Sequence, residues 1–211
     1  MDNNSITEEE LQRLNAISAF EIEAYNNGYN LIAGIDEAGR GPLAGPVVAA
    51  AVILPKGACI PSIDDSKKLS EKKREQLYNV ITKEAISIGT GIVDEKTIDE
   101  INILQASIRA MKIAIEKLSV MPDFILSDAV SLADLNIPQK AIIKGDSKSI
   151  SIAAASIIAK VTRDRLMYEY HKKFPTYNFA FNKGYGTEEH LKMLKKYGPC
   201  EIHRRSFKGV V

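Results

Sequence analysis

The sequence has few of the residues that form disulfide frameworks or zinc sites, since its 211 residues include two cysteines and three histidines. Cys59 and Cys200 are not spaced as a metal-binding pair, so we expect neither a zinc site nor a disulfide framework. The longest apolar run, Val47 to Leu54, has the length of a strand and is too short to span a membrane. The acidic start, MDNNSITEEE, lacks the apolar segment of a secretory signal. We therefore expect a cytoplasmic protein with no membrane association, and a monomer by default.

The net charge of +1 does not by itself indicate a nucleic-acid-binding protein. The charges are nevertheless distributed unevenly along the chain. Residues 1–30 contain six acidic residues and one basic residue, whereas residues 171–211 contain nine basic and three acidic residues. Local positive charge of this kind attracts phosphate even where the net charge is small. A chance asymmetry of solvated surfaces is the alternative at this level.

The chain has the average composition of a globular protein, with 45% hydrophobic and 26% charged residues. Its apolar runs and helix-cap residues predict a series of strands and helices. The apolar runs predict five strands, at residues 31–36, 46–54, 85–93, 123–128 and 141–145. Cap residues predict helices from Thr7 to about residue 26, for about 14 residues after Ser70, behind the capping box Thr97–Glu100, from Ile152 to about Lys172, and for about 8 residues after Thr187. The helix behind Thr97 carries apolar residues at helical spacing: Ile101, Leu104, Ile108, Met111 and Ile115. This order predicts an α/β fold, with one mixed sheet and helices on its faces.

Four acidic residues follow the predicted strands. Asp36 ends the first strand and Glu37 follows it, Asp128 ends the fourth, and Asp146 follows the fifth. If the first, fourth and fifth strands are neighbours, these acids converge at one edge of the sheet. Because consecutive side chains of a strand point to opposite faces, we expect Asp36 and Glu37 to share a site only if regular pairing breaks there, at the glycines that follow.

Clustered carboxylates repel one another unless a cation neutralises them. An all-oxygen ligand set favours Mg²⁺ or Mn²⁺ over zinc. Three or four carboxylates are able to hold two such ions about 3.5–4 Å apart, the arrangement used for in-line phosphoryl displacement. Taken singly, Asp128 is also typical of a turn and Asp146 of a helix cap, whereas the pair Asp36 and Glu37 is costly between buried strands without a function.

Four segments of the chain resemble the ribonuclease HII family, in the same order along the sequence. They are GIDEAGRGPLAGPVVAAAVIL, DDSKKLS, GDSKSISIAAASIIAKVTRDR and NKGYGT, and together they span roughly residues 31 to 187. The resemblance implies a ribonuclease H-like mixed five-stranded sheet flanked by helices, with a small C-terminal helical part. It implies an endonuclease that cuts the RNA strand of RNA–DNA hybrids and also cuts on the 5′ side of single ribonucleotides embedded in duplex DNA. Such an enzyme serves ribonucleotide removal, a form of DNA repair.

The resemblance also implies roles for individual residues. Asp36, Glu37, Asp128 and Asp146 match the four family acids, and would be both the catalytic residues and the ligands of two Mn²⁺ or Mg²⁺ ions. Gly39-Arg40-Gly41 matches the loop that recognises the ribonucleotide 2′-hydroxyl. Tyr185 matches the tyrosine that lies against the sugar of the following deoxynucleotide. The implied division is an N-terminal helical extension (1–29), a catalytic domain (30–173) and a C-terminal substrate-binding segment (174–211).

Further basic and hydroxyl side chains are candidates for contacts to the nucleic-acid backbone. Lys67 and Lys68 fit phosphate contacts as well as they fit a solvated loop. The other candidates flank the fourth acid or lie on the long helix: Lys144, Ser147, Lys148, Ser149, Ser156 and Lys160. The remaining residues that stand out are expected to be structural. Asp164, which follows Arg163 in the long helix, is expected to form a structural ion pair. We expect packing roles for Tyr168 and Tyr170, and surface positions for His171, His190 and His203.

Two features bear on the choice of family and two on the choice of function. Ala129 follows Asp128, where the ribonuclease HII family commonly has glycine. Arg40 and the short N-terminus favour ribonuclease HII over the related ribonuclease HIII. A junction resolvase on the same fold and a catalytically silent nucleic-acid-binding module are the alternative functions. The four acids argue against a silent module, because negative charge weakens binding to phosphate.

Overall fold

The computed structural model describes residues 6–132 and 135–210. The strands are β1 Ile32–Ala38, β2 Val47–Ile53, β3 Ser87–Val93, β4 Phe124–Asp128 and β5 Gln139–Ile142. The helices are α1 Glu8–Ile17, α2 Ala19–Asn26, α3 Glu71–Glu84, α4 Glu95–Glu116, α5 Ile150–Lys173, α6 Phe179–Asn182 and α7 Glu188–Tyr197, with 3-10 turns at Gly145–Ser147 and Pro175–Tyr177. Within the described ranges, no helix is both long and apolar enough to cross a membrane.

The five strands form one mixed sheet in the order β3-β2-β1-β4-β5. Strands β3, β2 and β1 are antiparallel, whereas β1, β4 and β5 run parallel. The predicted mixed five-stranded α/β sheet is confirmed, and so is the condition that the first, fourth and fifth strands are neighbours. The carboxyl ends of these three parallel strands therefore lie at one edge of the sheet.

Helices cover both faces of the sheet. Helices α3 and α5 pack on one face through alternate residues of β2, and α4 packs on the other through the residues between them. Every residue of β2 is buried, as expected for a central strand covered on both faces. Gly34 in β1 allows α5 to approach closely, because a Cβ atom there would lie 2.0 Å from the backbone carbon of Ser151. This contact fixes the start of α5 against β1, two residues before Asp36.

Several element boundaries differ from the sequence prediction. The first predicted helix is interrupted at Ser18 and forms two helices. Helix α4 begins at Glu95, where Asp94 caps it, rather than behind Thr97. Asn102 has a non-helical backbone (φ 68°, ψ 164°), and its side chain caps the following turn by accepting from the backbone N–H groups of residues 104 and 105. This kink rotates the apolar pattern, and Leu104 is exposed although it was expected to face the core.

Strand pairing at the acid pair also differs from the prediction. Regular pairing of β1 with β2 continues through Asp36 and Glu37 to Ala38, so the expected break does not occur there. Pairing of β1 with β4 instead ends at Ile35, opposite Ser127. Both acids therefore lie on a part of β1 whose β4 side is unpaired, which opens space beside them without a break in the strand.

Three expectations for aromatic and histidine residues were wrong. His190 and His203 are fully buried rather than on the surface, whereas His171 is partly exposed. The rings of His190 and His203 lie in a C-terminal aromatic cluster with those of Tyr177 and Phe179. Tyr168 does not pack in the core, since its side chain is exposed, with the Lys172 ammonium 5.1 Å from its ring centre.

Candidate active site

Three of the four predicted acids meet at the carboxyl edge of the parallel strands. Asp36 and Asp128 come from β1 and β4, and Asp146 comes from the 3-10 turn that precedes α5. One carboxylate oxygen from each lies within 4.8 Å of the others. The Asp128 carboxylate accepts a hydrogen bond of 2.7 Å from the Gly145 N–H, which ties the end of β4 to the turn that carries Asp146. The β4–β5 pairing and this hydrogen bond together position two of the three acids.

Glu37 lines the same cavity as Asp36 and Asp128, a space of about 410 Å³. One oxygen of Glu37 accepts a hydrogen bond of 3.2 Å from Arg40, and the other is buried with no hydrogen-bond partner among the described residues. A buried carboxylate oxygen without a donor is costly unless a cation or water occupies the cavity. The residues present therefore fit divalent-cation binding, with oxygen ligands only.

The electrostatics of the cluster show the same need for a cation. Burial, followed by the charges of Glu37 and Asp128, raises the pKa of Asp36 well above its usual value. Burial also raises the pKa of Glu37, although Arg40 partly offsets it. Burial raises the pKa of Asp128 against the opposing hydrogen bond from Gly145. In each case the ionised form is disfavoured in the protein alone, so a bound divalent cation would stabilise all three carboxylates.

In the absence of divalent cations, Asp36→Asn is expected to stabilise the protein at neutral pH. The amide keeps an acceptor for the Glu37 N–H and removes one buried charge, which should increase the free energy of unfolding by about 1–2 kcal/mol. Thermal unfolding in EDTA should show a higher Tm by about 2–4 °C per kcal/mol. With Mg²⁺ the wild type should have the higher Tm, because it binds the ion more tightly than Asp36→Asn and is stabilised more by it. Glu116→Gln, at an exposed acid of α4, is the control, and an unchanged or lower Tm for Asp36→Asn in EDTA contradicts the account.

Basic and hydroxyl groups surround the acids. Lys67 extends from the loop before α3 and contacts Asp146 at 3.1 Å. Burial alone would lower the pKa of Lys67, but the hydrogen bond and charge of Asp146 outweigh it and raise that pKa. The Ser156 hydroxyl lies 2.8 Å from that of Ser66, and both residues line the cavity. Lys160 lines it too.

The remaining residues predicted to contact phosphate differ in their exposure to solvent and in their hydrogen-bond partners. Lys68 is exposed and contacts Asp64 at 3.0 Å. Lys144 is exposed in a left-handed turn, and its carbonyl accepts from the Ser147 hydroxyl. Ser149 is fully buried, donates to Glu21 and caps α5, so its side chain is not available to phosphate.

The expected structural ion pair of Asp164 forms, although not with its neighbour Arg163. Asp164 instead contacts Lys160 at 2.6 Å and Arg74 at 3.9 Å. Arg163 points to the other side of α5 and donates to backbone carbonyl groups of Ala44, Pro46 and Lys183. Consecutive residues of a helix face different directions, so the two neighbours find different partners. The contact of Arg163 with the loops beside the acids was not predicted from residue type or spacing.

The glycine loop and Tyr185 line the same cavity and lie close to each other. Gly39 has φ +99°, and a Cβ atom there would lie 2.1 Å from the Arg163 Nε atom, so only glycine fits between the loop and that side chain. A Cβ atom on Gly41 would lie 3.6 Å from Cε1 of the Tyr185 ring. The Tyr185 side chain is 47% exposed. The structure thus brings backbone, aromatic ring and carboxylates around one cavity.

Residues 33–210 match the family model described as ribonuclease HII. The chain belongs to the ribonuclease HII family. A ribonuclease HII from Caldanaerobacter subterraneus subsp. tengcongensis is 62% identical over 200 residues, which cover 95% of this chain and 83% of that protein. The crystal structure of the ribonuclease H2 from Pyrococcus horikoshii OT3 has a TM-score of 0.70 at 27% identity and covers 85% of this chain and 95% of that one. The ribonuclease HII of Archaeoglobus fulgidus, solved as a complex with PCNA, has a TM-score of 0.67 at 26% identity and covers 84% of this chain and 95% of that one.

Membership of the ribonuclease HII family makes the chain a ribonuclease H endonuclease, a hydrolase that cleaves the RNA strand of RNA–DNA hybrids. The cluster of Asp36, Asp128 and Asp146 provides the acidic site that such a nuclease needs for a divalent metal.

Ala129, the residue after Asp128, adopts a left-handed backbone with φ +55°. A Cβ atom in this conformation costs roughly 1 kcal/mol, partly offset by the greater chain entropy of an unfolded glycine. Ala129→Gly is therefore expected to increase the free energy of unfolding by about 0.5–1 kcal/mol, seen as a higher Tm. Ala85→Gly, at φ −66°, is the matched control and should lower the Tm. If both variants lose stability equally, the left-handed strain at Ala129 is not significant.

Proposed function

We propose that this chain cuts the RNA strand of hybrids, and cuts on the 5′ side of single ribonucleotides embedded in duplex DNA, with two divalent ions in its active site. The observation that carries the proposal is the shared cavity, which Asp36, Glu37 and Asp128 line together with Gly39-Arg40-Gly41 and Tyr185. Acids suited to metals and groups suited to a sugar are therefore within reach of one phosphodiester.

Asp36, Glu37, Asp128 and Asp146 would hold the ions, Mg²⁺ or Mn²⁺. Bound divalent ions supply an activated water at neutral pH and stabilise the leaving oxygen of the phosphodiester. The chain contributes preorganised carboxylates: Asp128 is held by the Gly145 N–H and Asp36 accepts from the Glu37 N–H. Lys67, which contacts Asp146, would turn to the substrate phosphate once metal neutralises that acid.

The loop Gly39-Arg40-Gly41 would recognise the ribonucleotide. The missing side chain at Gly41 leaves room for a sugar to approach the backbone closely, and the 2′-hydroxyl is the group that distinguishes RNA from DNA. The ring of Tyr185, close to Gly41, would lie against the next sugar and favour one without a 2′-hydroxyl. The two features together select an RNA-to-DNA junction.

Positive and hydroxyl side chains around the cavity would contact the flanking phosphates. The candidates are Lys67, Lys68, Lys144, Ser147 and Lys160, together with Ser156, which is buried but lines the cavity. Their contacts would be independent of sequence and would weaken as salt concentration rises. We assign the protein to ribonucleotide removal in DNA repair, acting as a monomer in the cytoplasm.

The test compares three substrates: a DNA duplex with one ribonucleotide, a long RNA–DNA hybrid and an all-DNA four-way junction. Each is incubated with and without Mg²⁺ or Mn²⁺, and the cut position is mapped. The proposal predicts metal-dependent cuts in the first two, with the first cut on the 5′ side of the ribonucleotide. Cleavage of the four-way junction alone would support a resolvase, and metal-independent binding without product would support a silent binding module.

A further inference from the structure

The side chain of Arg204 is fully buried beneath the glycine loop. Its guanidinium donates three hydrogen bonds to backbone carbonyl groups of that loop, at 2.6 Å to Gly39, 2.9 Å to Arg40 and 2.9 Å to Gly45. The backbone N–H of Arg204 also donates to Leu43, at 2.9 Å. The C-terminal segment therefore holds both ends of the loop that carries Gly39-Arg40-Gly41.

Within the described part of the chain this buried cation forms no ion pair, although the charges of Asp99 and Glu95 partly offset its desolvation. Among the described residues, Arg204 has no carboxylate within 4.0 Å, and the same holds for Arg163, which supports the loop from the α5 side. Burial, followed by the charge of Arg163, lowers the pKa of Arg204 to about 9. Burying a guanidinium without an ion pair is strongly unfavourable. A cation retained at this cost, with all its hydrogen bonds directed to one loop, indicates a role in loop geometry.

His203, the residue before Arg204, belongs to a second chain of hydrogen bonds, which ends at the Tyr185 backbone. The Cys200 N–H donates to Nδ1 of His203 at 3.0 Å, so the proton of neutral His203 lies on Nε2. His203 Nε2 then donates to His190 Nε2 at 2.9 Å, which leaves the proton of His190 on Nδ1. His190 Nδ1 donates to the Tyr185 carbonyl at 2.8 Å. Each ring is thus fixed in one tautomer, and the chain ends on the backbone of Tyr185.

We infer that His203 and Arg204 form one positioning unit that sets the distance between the Gly39–Gly41 loop and Tyr185. Arg204 holds the loop, and His203 holds Tyr185 through His190. The inference rests on the proposed function, because it assigns to this unit the preference for an RNA-to-DNA junction over a long hybrid. Both side chains are buried, so neither is a catalytic residue, and their effect is on the geometry of the groups that meet the substrate.

The first experiment tests the loop through Arg204→Lys, which keeps the charge and loses the fork of donors. The readout is the ratio of kcat/KM for the single-ribonucleotide duplex to kcat/KM for the long hybrid, measured on one preparation. This ratio does not depend on the fraction of folded enzyme, so partial loss of stability does not alter it. We expect the ratio to fall by roughly 10- to 100-fold, as a small displacement of positioning groups does. Arg205→Lys is the control, since Arg205 is exposed, and its ratio should stay within about twofold of the wild type.

The second experiment tests the arm to Tyr185 through His190→Gln, made in the wild type and in Tyr185→Ala. His190→Gln should lower the ratio of kcat/KM values in the wild type. It should not lower the ratio further in Tyr185→Ala, where the ring is already absent. The loss of Tm caused by His190→Gln should be the same in both backgrounds. An equal fall in both backgrounds, or an unchanged ratio for Arg204→Lys in an enzyme that prefers junctions, overturns the inference. A wild type that does not cut at a single ribonucleotide overturns the proposed function instead.

Discussion

Asp36→Asn is expected to lower kcat on an RNA–DNA hybrid by at least about 1,000-fold, or roughly 4 kcal/mol of transition-state stabilisation. Asp36 is central to the acid cluster, since it lies within 4.8 Å of both Asp128 and Asp146 and lines the cavity with Glu37. The amide has nearly the same shape but is a weak metal ligand, so the loss should be one of chemistry rather than of folding. Single-turnover cleavage with saturating Mg²⁺ or Mn²⁺ measures it.

The same substitution at Asp128 should give a loss of similar size, because both carboxylates contribute to one cluster. Far-UV circular dichroism should show unchanged helix content in both variants. Glu116→Gln, at an exposed acid of α4, should retain full activity. Full activity of either cluster variant, with contaminating nuclease excluded, would remove the acid cluster from the mechanism.

Tyr185→Ala is expected to lower the preference for a single embedded ribonucleotide over a long hybrid by roughly 10-fold or more, with a smaller effect on hybrid binding. The ring lies beside Gly41 in the lining of the cavity, where it would lie against the sugar that follows the cut. Its removal should make that position tolerant of a 2′-hydroxyl. The measurement is kcat/KM for each substrate, together with the Kd for a hybrid in Ca²⁺.

The matched control for the tyrosine is Tyr197→Ala, because Tyr197 is an exposed tyrosine at the end of α7. Its removal should leave both substrates cleaved as in the wild type. If Tyr185→Ala lowers cleavage of both substrates equally, the ring serves general binding and does not read the junction.

Most of the fold followed from the sequence because its signals are local. The apolar runs and caps such as Ser70 and Thr187 mark elements whose limits depend on a few neighbouring residues. The sequence did not predict that β1, β4 and β5 are neighbours, which is what brings the acids together. Strand order is set by long-range packing, and local sequence patterns do not contain it. The kink at Asn102 was not predicted, because the apolar residues around it keep helical spacing. The Asn102 side chain nevertheless accepts hydrogen bonds from the following turn and interrupts the helix.

The supports of the site were less accessible than its acids. Arg204 and His203 lie in a basic tail that is typical of a solvated or phosphate-binding surface, yet both are buried. Their partners are backbone carbonyl and ring nitrogen atoms, and backbone acceptors leave no signature in residue type. Arg204 contacts Gly39 across 165 positions of sequence, so only the folded chain reveals the contact. The acids, by contrast, are identifiable because buried carboxylates have few structural uses.

The most direct test of the central claim is to locate the metal ions. Crystals of the protein with Mn²⁺ and a DNA duplex containing one ribonucleotide, its scissile phosphate replaced by a slowly cleaved phosphorothioate, would show the ions by anomalous scattering. We expect two peaks about 4 Å apart, bound by Asp36, Glu37, Asp128 and Asp146 on either side of the phosphate next to Gly39-Arg40-Gly41. A single peak, or peaks away from these carboxylates, would contradict it.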